Sequence, residues 1–226
     1  MGYLIIVGIF SVIGMLVSNR LKSKFARYSN MPMTNGRSGA EVAQAMLDHY
    51  GIHDVRIVQG QGMLTDHYNP ATKTVSLSPE VYHGRHVSAA AVAAHECGHA
   101  VQHDTAYTWL KFRSAMVPAV SLAAKAQQFL FLFALGFAGM FNSWIMVTIV
   151  AAAFGITALF SLVTLPVEFD ASNRALAWLD NSNYTRGQEY EGAKDALWWA
   201  AMTYVVAALS SLVVFLYILF SMLGRD

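Results

Sequence analysis

Charge is scarce in this chain. Lys, Arg, Asp and Glu together make up 13% of its 226 residues, against about 25% in an ordinary soluble domain. A single cysteine excludes a disulfide-stapled secreted module. So few charges exclude a nucleic-acid binder that works through a basic surface, while the net charge of +1 says little as a total. With 55% hydrophobic residues, the chain has too much apolar material to stay disordered. No internal repeat and no low-complexity linker is visible.

The charges that exist are unevenly placed. None falls between Lys125 and Glu168, and none between Asp195 and Arg225. A third apolar stretch opens the chain at residues 1–18. A membrane-spanning helix needs about 20 mostly apolar residues, with roughly 17 as the lower end. The first stretch just reaches this, and the last, residues 197–223, exceeds it. The middle stretch would make a helix of about 60 Å, twice the hydrocarbon core. It is therefore expected to fold back at Phe141-Asn142-Ser143, giving spans at residues 126–141 and 144–165. The predicted fold class is an α-helical membrane protein with four transmembrane helices and a small α+β cytoplasmic domain.

Four spans put both termini on one side and residues 19–125 and 166–195 on the other. Fourteen of the fifteen Lys and Arg residues lie in those two segments, so the positive-inside rule places them in the cytoplasm and both termini outside. The first stretch lacks a basic leader and a small-residue cleavage site, and its basic cluster follows the apolar run. It reads as a retained anchor rather than a cleaved signal.

Within residues 19–125, Ser38-Gly39-Ala40-Glu41 is a capping box ahead of a helix that ends near Gly51. Residues 55–59 suggest a strand, and residues 64–68 and 73–78 flank the turn Asn69-Pro70-Ala71-Thr72. Val75 and Leu77 alternate with polar neighbours, as in a half-buried strand. Ser78-Pro79 starts a short helix, and Ser88 is expected to cap a longer one over residues 89–102.

All eight histidines lie between His49 and His103. His95-Glu96-Cys97-Gly98-His99 is an H-E-x-x-H motif in the longer helix. Residues four apart share a helix face, so both imidazoles can point at one zinc ion while Glu96 reaches a water beside it. Cys97 reads as a small buried residue behind the site. A catalytic zinc usually takes three protein ligands and keeps one open position. His103 continues the spacing, but two helical turns from His95 it is roughly 12 Å away along the axis. Glu168 is the other candidate, because the hairpin returns it to the same side of the membrane. Pro166 is expected to break the third span and place Glu168 in the first turn of a new helix. Asp170, two residues on, would face away.

A signal anchor, Leu64-Thr65-Asp66-His67-Tyr68-Asn69-Pro70, the segment from His95-Glu96-Cys97-Gly98-His99 to His103, and Leu165-Pro166-Val167-Glu168-Phe169 together resemble the YugP-like bacterial membrane zinc metallopeptidases. The resemblance covers nearly the whole chain. More distantly, the chain is similar to HtpX-type and CAAX-prenyl-type proteases. The resemblance implies a gluzincin-like site with His95, His99 and Glu168 as ligands of one Zn²⁺ and Glu96 as general base. In those relatives the pattern is Glu-x-x-x-Asp, with the Asp orienting a ligand histidine. Here Ser172 stands at that position, which leaves Asp170, Asn173 or another group as candidates for the orienting role.

The expected reaction is peptide-bond hydrolysis in a multi-pass protein of the bacterial plasma membrane. His67, Tyr68, His103 and Arg174 are candidate donors to the oxyanion of the tetrahedral intermediate. Resemblance suggests that the hairpin of residues 64–78 binds substrate by strand addition. The expected partners are the lipid bilayer and a peptide or membrane-protein substrate, with no nucleic acid. Small residues at Gly136-Phe137-Ala138-Gly139 and in the third span offer surfaces for a homo-oligomer. Two rival readings are a zinc-containing membrane scaffold or chaperone without turnover, and a transporter. The transporter would need charged residues facing a pore within its spans.

Overall fold

A computed structural model describes residues 2–62, 64–136 and 144–224. Its first helix continues where the apolar stretch stops. α1 (Gly2–Ser29) runs past Ser18 through Arg20, Lys22, Lys24 and Arg27. These long side chains are good helix formers, and contacts with a later helix hold the extension in place. Lys24 pairs with Asp195 at 2.6 Å, the Tyr28 hydroxyl donates to the same carboxylate at 2.6 Å, and Arg20 lies over the Trp199 ring.

α2 (Gly39–His49) starts at the expected capping box, with Ser38 and Glu41 each bonding the other's backbone. Gly51 follows the helix with φ of 69°, a conformation that glycine adopts without strain. Three short strands come next: β1 (Arg56–Gln59), β2 (His67–Asn69) and β3 (Thr74–Leu77). They form one sheet in the order β1-β3-β2. β3 runs parallel to β1 and antiparallel to β2, with Tyr68 opposite Val75. Val75 and Leu77 are buried, and Thr74 and Ser76 less so, the alternation that period-2 patterning demands.

α3 (Pro79–His83) leads into α4 (Val87–Asp104), which carries the H-E-x-x-H motif. The N-cap of α4 is His86, not Ser88: the His86 ring accepts from the Ala89 amide at 3.1 Å. Ser88 is buried one position inside the helix and bonds both His86 and Ser29. An imidazole nitrogen thus does what a hydroxyl was expected to do.

The remaining helices are α5 (Thr108–Gly136), α6 (Trp144–Asn181) and α7 (Gln188–Leu223). Among the described residues three helical segments are long and apolar enough to cross a membrane: Gly2–Ser29, Val147–Asn181 and Gln188–Leu223. The expected reversal at residues 141–143 lies outside the described residues. The expected span at residues 126–141 is described only to Gly136, as the second half of α5.

Pro166 does not break the third span. α6 continues through it as one helix of 38 residues, so Glu168 sits mid-helix rather than in a first turn. An interior proline costs about 3 kcal/mol in an isolated helix. Here Val163, Val167, Ala171 and Ala175 are buried along the same helix, which packs against α4, α5 and α7. That burial offsets the missing hydrogen bond.

α4 lies at the centre of these layers. Its small residues Ala89, Ala90, Ala91, Ala93, Ala94 and Cys97 are all buried. Gly98 is where it meets α6: a Cβ there would stand 2.5 Å from the Ala171 carbonyl oxygen. A Gly98→Ala substitution should therefore cost about 1–3 kcal/mol through overpacking, read as a lowered thermal midpoint of the full chain in detergent. Gly8→Ala, in the interior of α1 where nothing lies within 4 Å, should not lower the midpoint, because alanine is the better helix former.

Candidate metal centre

The helical repeat puts His95 and His99 on one face of α4, with ring centroids 4.8 Å apart. α6 brings Glu168 to meet them. Its Oε2 lies 3.4 Å from His95 Nε2 and 3.6 Å from His99 Nε2. One ligand atom from each residue falls within 4.8 Å of the others, so the three could hold a metal ion.

Whether they suit a metal can be tested on Glu168 itself. Its side chain is 2% exposed, yet Oε2 has no hydrogen-bond partner. A buried carboxylate oxygen without a partner is strongly unfavourable unless a cation answers it. Two ligand atoms at zinc distances of about 2.1 Å in a tetrahedral shell stand roughly 3.4 Å apart, close to the separations found. Two imidazoles and a carboxylate also form a usual donor set for zinc. The residues fit the ion.

The other ring nitrogens are held by the protein. His99 Nδ1 lies 3.0 Å from Gln102 Oε1, an acceptor, so Nδ1 carries the proton and Nε2 presents a lone pair. The Gln102 amide nitrogen donates in turn to the Val167 carbonyl at 2.7 Å and to Asp170 Oδ2 at 2.8 Å. Asp170 also accepts from Arg174 at 2.6 Å. On the other ring, His95 Nδ1 lies 3.1 Å from the Ser172 hydroxyl. Ser172 therefore fills the position that the wider pattern gives to Asp, and it does reach a histidine. Burial draws His99 toward its neutral form, but Glu168, then Glu96 and Gln102, more than offset this and raise its pKa.

The site opens into a cavity of about 310 Å³. Glu96 lines it beside the two histidines, as do His67, Tyr68, Arg113 and Tyr204, with Leu110, Val117 and Phe160 on an apolar wall. Arg113, from α5, lies 3.7 Å from Glu168 Oε1, so the two carboxylate oxygens face different partners. His67 Nδ1 bonds the Thr65 carbonyl at 2.8 Å. The Tyr68 hydroxyl lies 2.8 Å from His103 Nδ1. Burial first, then Asp54 and Asp104, push the Tyr68 pKa up to about 12, so this phenol stays protonated at any working pH.

Three expected neighbours are not brought to the cavity. His103 lines a separate recess with Asp54, Lys73 and Asp104, two helical turns along α4 from His95. Asn173 lines a groove between α6 and α7. Arg174 pairs with Asp170 and stacks over Tyr107, reaching the site only through Asp170 and Gln102. Asp170 does not face away altogether, since Gln102 spans the gap. Sequence reasoning missed Gln102, although its i+3 spacing from His99 was available. It also missed Arg113 and Tyr204, which no local spacing connects to the motif.

Residues 3–223 match the protein family described as "putative neutral zinc metallopeptidase". The chain belongs to this family. It is also 39% identical over 208 residues to a Bacillus subtilis (strain 168) protein described as "putative membrane protease YugP", covering 92% of this chain and 91% of that one. No solved structure matches.

Groups that orient a ligand histidine typically contribute 10–100-fold to metal affinity. Gln102→Leu and Ser172→Ala should each weaken zinc binding by about that factor, measured by chelator competition on the purified chain. Unchanged affinity in both variants would show that these hydrogen bonds do not orient the rings.

Proposed function

We propose that this protein is a zinc metalloendopeptidase of the bacterial plasma membrane, hydrolysing peptide bonds of membrane proteins or peptides close to the cytoplasmic face. The observation that carries this reading is the unpartnered Glu168 Oε2, buried between two imidazoles in a cavity that also holds Glu96. His95, His99 and Glu168 would be the ligands. A zinc ion held there supplies a Lewis acid that lowers the pKa of its water toward about 7 and polarises a carbonyl.

The chain's own residues supply the rest. Glu96 accepts the proton of the attacking water and passes it to the leaving amine. Tyr68 and Tyr204 line the same cavity and are the nearby hydroxyl donors for the developing oxyanion, whereas the Nδ1 proton of His67 is committed to the Thr65 carbonyl. Arg113 holds Oε1 of Glu168, leaving Oε2 to the metal. β2 is an edge strand of its sheet and lines the cavity through His67 and Tyr68, which suits it to pair with an extended substrate segment. The apolar wall of Leu110, Val117 and Phe160 favours substrate residues next to a membrane segment.

Topologically, we infer four spans, with the part of the chain carrying the site in the cytoplasm as a small zincin-like unit, and both termini outside. The distribution of fourteen of fifteen basic residues supports this orientation. The competing reading is a zinc scaffold without turnover. It is disfavoured by Glu96, a carboxylate in the cavity beside the ligands that the three-donor set does not use.

Glu96→Gln should retain one zinc per chain and lose peptide hydrolysis by several orders of magnitude. Wild-type turnover in that variant would sink the mechanism. Glu168→Ala should abolish stoichiometric zinc by metal analysis, and full zinc content would remove it from the ligand set. Arg113→Gln should keep the fold but weaken zinc retention and lower kcat more than it raises KM. A change confined to KM would instead make Arg113 a substrate-binding residue.

A further inference from the structure

A second cavity, of about 410 Å³, lies between α6 and α7, outside the proposed active site. Its polar end is made by Glu191 and Lys194, and its apolar end by Phe169, Trp198 and Ala201. Ser172 stands in its wall with its hydroxyl on His95. Glu191 to Ala201 spans about 15 Å along α7 at 1.5 Å per residue. This is the depth over which a bilayer passes from headgroup to upper acyl chain. Trp198 is 55% exposed and lies at the start of the apolar run, where an interfacial tryptophan is expected.

The polar end carries one charge of each sign that no group among the described residues pairs. Asp195 is already paired with Lys24 and accepts from the Tyr28 hydroxyl. Glu191 and Lys194 are exposed and have no ion-pair partner among the described residues. A cavity of this size lies in the range of small-molecule sites, about 300–1,000 Å³. An occupant complementary to both ends is apolar at one end and dipolar at the other.

We propose that this groove binds one zwitterionic aminophospholipid. The phosphate meets Lys194, the ammonium meets Glu191, and the upper acyl chain lies along Phe169, Trp198 and Ala201. An anionic lipid would satisfy Lys194 but face Glu191 unpaired. A quaternary choline headgroup offers Glu191 no N–H donor. The proposal rests on the membrane reading of α6 and α7 and not on proteolysis, so an inactive protein would still test it.

The test is lipid retention by the full chain. Delipidated protein in detergent is incubated with phosphatidylethanolamine, phosphatidylglycerol or phosphatidylcholine, and one-to-one adducts are counted by native mass spectrometry. The expected result is at least five-fold greater retention of phosphatidylethanolamine than of either other lipid. That preference should be lost in Lys194→Glu and in Glu191→Lys, and recovered when the two charges are exchanged together. A thermal midpoint and a size-exclusion profile unchanged from wild type certify that each variant is folded. Equal retention of all three lipids, a preference for phosphatidylglycerol, or a preference that survives both single reversals would overturn the proposal.

Discussion

The site depends on one close approach. α4 and α6 cross where Gly98 faces the Ala171 carbonyl, with no side chain between them. Glu168 precedes Ala171 by three residues, and His95 and His99 flank Gly98, so backbone contact at the crossing sets the distance between carboxylate and imidazoles. A larger residue at position 98 would separate the helices. Three donors that must converge within a few tenths of an ångström would then no longer meet. The alanines that surround the crossing on α4 serve the same end, allowing the helix to be buried on nearly every side.

Burying a carboxylate at such a crossing is costly, and the neighbourhood shares that cost. Oε1 is answered by Arg113 and Oε2 is left to the imidazoles. Behind the imidazoles, polar partners hold each ring: Ser172 for His95, and Gln102 with Asp170 and Arg174 for His99. Both sets run between α4 and α6. The same hydrogen bonds that fix the rings therefore also tie the two helices together, so stability and the geometry of the three donors are not separable here.

What was legible in the sequence was local. The capping box at Ser38 and Glu41, the alternation in β3 and the four-residue spacing of His95 and His99 each depend on neighbours within one turn or one strand. Glu168 could be nominated because a charge-free stretch framed it. The misreadings were of places where tertiary contacts override local preference. Pro166 reads as a helix breaker, yet burial on several sides carries α6 through it. Arg20 to Arg27 read as the end of a span, yet α7 keeps that segment helical through Asp195 and Trp199. Arg113 and Tyr204 come from helices far along the chain and share no pattern with the motif. Only the packing of α5 and α7 brings them in.

The continuity of α6 gives the molecule a mechanical property. Ala171, at the crossing, acts as a fulcrum on a stiff rod. Trp144 lies 27 residues away, about 40 Å along the axis, whereas Glu168 lies only about 5 Å away. If bilayer thickness changes and α6 tilts by roughly 5°, its far end swings by about 3.5 Å, while Glu168 shifts by only about 0.4 Å. A hinge at Pro166 would have uncoupled the two ends. The unbroken helix instead swings at its far end while Glu168, close to the crossing, stays almost still.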